Sequence, residues 1–114
     1  MQMKEWSTRV VTFKLAAALE RYEMDLGELA QRWLEPELLR RMQQEFGELR
    51  ILGASLPKLS VAWVAVLVSR TRLLHALRGR TGPALAALQE HLAAADGLRR
   101  RCLRSMGAQV GAAL

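Results

Sequence analysis
His75, His91 and Cys102 are the side chains in this sequence that could act as general base, nucleophile or soft metal ligand. The two histidines stand 16 residues apart, so they do not form the i, i+4 pair that holds zinc on one helix face. A His75–Cys102 or His91–Cys102 couple would need the fold to bring both groups into one pocket. Each histidine otherwise reads as a solvated residue on the polar side of a helix, so replacing both by Gln is expected to leave function intact. Glu35 and Glu37 flank Pro36 and point apart, which does not suit paired acid–base work. Gly27, Gly47, Gly53, Gly79 and Gly82 lack the spacing of a phosphate loop. Neither enzymatic activity nor a cofactor or metal is expected. The single cysteine excludes an internal disulfide and a Cys-based zinc cage, and it fits a reducing, cytoplasmic setting.

The basic residues are unevenly placed. Residues 1–57 carry 8 Lys/Arg against 9 Asp/Glu, whereas residues 58–114 carry 9 against 2, giving the net charge of +6. Such a half suits nucleic acid, an acidic protein, or the acidic half of another copy. Arg99, Arg100, Arg101 and Arg104 form a candidate patch for an anionic partner, although arginines late in a helix also offset its dipole without any ligand. No aromatic residues interleave them for base stacking. Leu26–Gln44 can be laid onto a helix-turn-helix, but its recognition helix would open Pro-Glu-Leu-Leu, wrong for an element that meets phosphates.

These groups must be positioned by helices. Trp6, Val10, Phe13 and Ala17, with Val11, Leu15, Leu19 and Tyr22 beside them, predict a first helix from about Glu5 to Met24. Asp25 with Glu28 three residues on reads as the cap of a short second helix carrying Leu26, Leu29, Ala30 and Trp33. Glu20, Glu23 and Asp25 would then lie where one helix closes and the next opens. Pro36–Leu49 follows, with Leu38, Leu39, Met42, Phe46 and Leu49 inward and Arg40, Arg41, Gln44 and Glu45 largely outward. A long helix runs from near Leu56 to Gly79, and a last one opens at Pro83 with Leu85, Leu88, Leu92 and Ala95. Asp96-Gly97 is a candidate interruption there, and 107–114 read as a frayed tail. Nothing alternates with a period of two. The expectation is one all-α domain, 1–114, of four or five helices in an orthogonal or bundle-like arrangement completed by dimerisation.

Val61–Val68 carries the most information. Leu59, Trp63, Val66, Leu67, Leu73, Leu74 and Leu77 share one side of a helix, enough to serve a core. Val61, Val64, Ala65 and Val68 cover the other side, with Arg72 at its polar end. A helix apolar all round is buried all round, and a domain this small rarely wraps one helix completely. This second face is therefore expected to meet another chain, most simply a second copy. The longest stretch without a charge, Leu59–Ser69, is 11 residues, short of the roughly 20 that span a bilayer.

At 114 residues, 51% hydrophobic and 25% charged, the chain makes one ordinary globular domain. In size, Leu/Arg/Ala-rich composition and all-helical layout the whole chain resembles the small antiactivators of quorum-sensing transcription factors, of the QslA type. That resemblance implies a dimer that binds a LuxR-type activator and blocks its dimerisation and DNA binding; it carries over no functional residue. The expected function is a non-enzymatic, homodimeric interaction module that inhibits a transcription factor. The alternative is a small nucleic-acid-binding protein using the basic second half, and no membrane role is expected.

Overall fold
In the computed structural model the backbone is described over residues 2–33, 35–79 and 83–113, and side chains over 8–33, 35–79 and 83–107. Four helices follow one another: α1 (Gln2–Leu29), α2 (Pro36–Ala54), α3 (Ser60–Leu77) and α4 (Ala84–Ala113), with one 3-10 turn at Pro57–Leu59 before α3. Among the described residues there is no strand. Pro36 opens α2 at its first turn, and Glu35 before it is extended (φ −68°, ψ 119°), as a residue preceding proline must be. Gly79 closes α3 in the left-handed region (φ 72°), its N–H bonding Ala76 O at 2.9 Å.

Contacts between helices fix their directions. Asp25 meets Arg41 and Arg21 meets Glu48, so α1 and α2 run antiparallel. Ser69 meets His91 and Arg72 meets Glu90, so α3 and α4 do too. Gly53 lies against Trp63 while Phe46 lies under Arg70, which gives α2 and α3 the same relation. The outcome is an up-down-up-down bundle, 49 × 22 × 20 Å, with α4 returning beside α1. Leu15, Leu19, Tyr22, Leu26 and Leu29 repeat at alternating steps of four and three along α1, and Leu88, His91, Ala95, Leu98 and Cys102 do so along α4. This spacing keeps one stripe facing the partner helices along each rod.

Several local expectations are corrected. Asp25 caps no helix; it lies buried inside a continuous α1, where two bonds from Arg41 (3.1 and 2.9 Å) outweigh the poor helix propensity of aspartate. Gly97 does not interrupt α4, since the helices packed beside it hold the backbone helical. Phe13 is 64% exposed rather than core, and Trp33 sits exposed in the α1–α2 turn. Glu45, expected outward, is half-buried beside Asp25 and Arg41. Trp6 and most of the 107–114 tail lie outside the described side chains. By length and composition alone Pro57–Leu77 would suffice to cross a bilayer (mean hydropathy 1.2), yet Trp63, Val66, Ser69, Leu73 and Ala76 pack into the bundle.

Candidate functional site
The residues that could do chemistry are separated by the fold. Cys102 and His91 share the buried stripe of α4 but lie three turns apart, roughly 16 Å along the axis. His75 is exposed near the end of α3, the end remote from the level of Cys102. Burial pushes the Cys102 thiol up from 9.0 to about 11, which leaves it protonated at neutral pH. The bundle therefore does not assemble either His–Cys couple.

His91 is not a solvated residue. It is fully buried, with Tyr22 Oη 2.7 Å from Nε2 and Ser69 Oγ 2.7 Å from Nδ1. Ser69 Oγ also donates to Val66 O at 3.0 Å, so its proton is committed. One tautomer then satisfies every group: Tyr22 O–H donates to Nε2, Nδ1–H donates to Ser69 Oγ, and Ser69 donates to the carbonyl. Burial, with the nearby Arg70 charge, pulls His91 down from 6.5 to about 4. Burial also pushes the Tyr22 hydroxyl above its ordinary range. A neutral imidazole in a buried chain of hydrogen bonds ties α1, α3 and α4 together. Its burial corrects the reading of His91 as a solvated residue on the polar side of a helix.

The second face of α3 lies open. Val61 is 79% exposed, Val64 52% and Val68 44%, and Ala65 is exposed between them. Trp63, Val66 and Leu73 on the other side are buried, so the two faces are as distinct as their spacing predicts. The register set by Ser69–His91 and Arg72–Glu90 brings Ala94 and exposed Gly97 of α4 level with Val68 and Ala65. Arg72 closes the strip, bound to Glu90. The face is thus a shallow apolar strip of small, stiff side chains with an ion pair at its rim.

The arginine patch divides. Arg99 donates to Glu23 at 2.6 Å and to Asp96 at 2.7 Å, pinning α4 to α1, and Arg100 reaches Asp96 at 2.8 Å. Arg101 and Arg104 are exposed and make no ion pair among the described residues. Two of the four cations expected to meet an anionic partner are therefore already neutralised within the chain. No family model, curated protein or solved structure matches this chain.

Proposed function
We propose that this protein is a non-enzymatic helical interaction module that dimerises through the Val61/Val64/Ala65/Val68 face of α3. In this reading the dimer acts in the cytoplasm as a regulator that binds and inhibits a transcription factor. A LuxR-type quorum-sensing activator is the partner implied by the resemblance to QslA-type antiactivators. The observation that carries the proposal is the exposure of three valines on one side of a helix whose other side already fills the core. Valine and alanine lose little side-chain freedom on burial, so such a strip gains from a partner at small entropic cost. A valine taken from full exposure to burial contributes roughly 1.5–3 kcal/mol. Val61 therefore contributes most and the half-covered Val64 and Val68 about half as much, and a two-fold axis counts every contact twice. Sequestration of a regulator then needs only mass action.

The nucleic-acid alternative rests on fewer groups than the sequence offers, because Arg99 and Arg100 are engaged by Glu23 and Asp96. Sedimentation equilibrium at micromolar concentration tests the reading. A mass twice the 12.8 kDa of the chain is expected; a clean monomer overturns dimerisation. Binding to random duplex DNA that falls steeply with added salt would favour the alternative.

A further inference from the structure
At the end of the bundle where α2 begins and α3 finishes, the two helices leave a groove of about 340 Å³ between them. Leu39 and Met42 of α2 form one wall, Leu74 and Leu77 of α3 the other, and Leu29 of α1 lies at the base. Arg70 and Arg78 also line it, and no carboxylate does. Seven other arginines of the chain reach an acid. Arg70 and Arg78 reach none among the described residues. Arg70 is half-buried, its guanidinium 4.2 Å from the centre of the Phe46 ring, so it is held in place but lacks a counter-ion.

Arg70 lies on α3 and Arg78 directly follows its last residue, eight positions and roughly 12 Å further along the axis, with Leu74 and Leu77 between them. A single carboxylate on an aliphatic tail would neutralise one arginine and leave the other. A helix carrying two acids seven or eight positions apart, with apolar residues between, matches both cations and the bed at once. We propose that this groove seats an acidic amphipathic helix of a partner protein. At about 100° per residue, Arg70, Leu74 and Leu77 lie on nearly the opposite side of α3 from Val61, Val64 and Val68. A dimer joined through the valines leaves Arg70 and the leucine bed uncovered, so the groove goes beyond the dimer reading and stands or falls separately.

The test is a titration of the isotopically labelled full chain, read by amide NMR shifts, with three probes. The first is a synthetic amphipathic peptide of about 18 residues, long enough to hold a helix, with a Leu face and two Glu eight positions apart. The second is the same peptide with Lys at those positions, and the third is sodium decanoate. The acidic peptide is expected to shift Leu39, Met42, Leu74 and Leu77 and leave Val61 and Val64 unmoved, while the Lys peptide does not bind. Arg78→Gln, at an exposed position, is expected to weaken binding about tenfold, the worth of one charge-assisted bond. Arg70→Gln should weaken it at least as much, with helicity checked because Arg70 packs on Phe46. Absence of binding by the acidic peptide, equal binding of both peptides, shifts outside the groove, or occupancy by decanoate alone would overturn the proposal.

Discussion

The Tyr22 hydroxyl lies 2.7 Å from Nε2 of His91, a residue 69 positions further along the chain. Around that bond one layer gathers a residue from every helix: Tyr22 from α1, Phe46 from α2, Ser69 from α3 and His91 from α4. The Tyr22 and Phe46 rings are 5.7 Å apart, and the His91 ring meets Tyr22 edge-on at 5.4 Å. Leaving a buried donor or acceptor unmatched is costly, so this layer allows few alternative packings.

Tyr22→Phe keeps the ring and removes the donor to Nε2. The buried nitrogen is then unsatisfied, and a loss of roughly 1–3 kcal/mol is expected. Urea denaturation followed by circular dichroism measures it; a midpoint equal to that of the parent protein would show that the hydrogen bond contributes nothing.

The His91 ring also sets an acid limit. Its folded pKa of about 4 lies below the ordinary 6.5, so between those values the unfolded chain binds the extra proton. Its contribution is complete above pH 6.5 and is lost as pH falls through about 4. The whole difference is worth roughly 3 kcal/mol. His91→Gln, though less stable at pH 7, is expected to show a flatter stability profile over this window. An unchanged slope would contradict a buried neutral imidazole.

Glu45 acts in the opposite sense. Burial, with the neighbouring Asp25 carboxylate, raises it from 4.5 to about 7. Its contribution is present below pH 4.5 and is lost as pH rises through about 7. Asp25, which burial alone would raise, is held below its ordinary 3.8 by its two bonds from Arg41, and it loses its contribution as pH falls instead. Glu45→Gln is therefore expected to gain stability at pH 8 relative to the parent protein and little at pH 5. Thermal melts at the two values decide it, and equal shifts at both would refute the assignment.

Gly53 is a packing residue. A Cβ there would stand 2.9 Å from the Trp63 ring, inside van der Waals contact with a rigid group. Gly53→Ala improves helix propensity by roughly 1 kcal/mol, but forcing the ring aside costs roughly 1–3 kcal/mol. A net destabilisation is expected, with a shift in tryptophan emission that persists when Trp6 and Trp33 are replaced by Phe; a more stable protein would mean that α2 and α3 slide apart freely.

The helices and both faces of α3 were legible because they rest on local rules. Apolar residues recur every three or four positions, prolines mark starts, and Gly79 marks a stop. What local reading misses depends on partners distant in sequence. Asp25 looks like a cap until Arg41 arrives from α2, and His91 looks like a surface residue until Tyr22 and Ser69 close on it. The position of His91 in the Leu88/Ala95/Leu98 stripe was a usable signal, since the same periodicity places it inward. Phe13 misleads in reverse: its apolar chemistry suggests burial, but its position on α1 falls off the Leu15/Leu19/Tyr22 stripe.

The interface reading is tested most directly by the double variant Val64→Asp, Val68→Asp, examined by circular dichroism and sedimentation together. Both residues lie on the open face of α3, one turn apart, and fill no part of the core. The account predicts a parent protein sedimenting at twice 12.8 kDa and a variant that keeps its helical content but sediments as a monomer. A variant that unfolds, or one that sediments like the parent, would contradict the assignment of this face as the dimer contact.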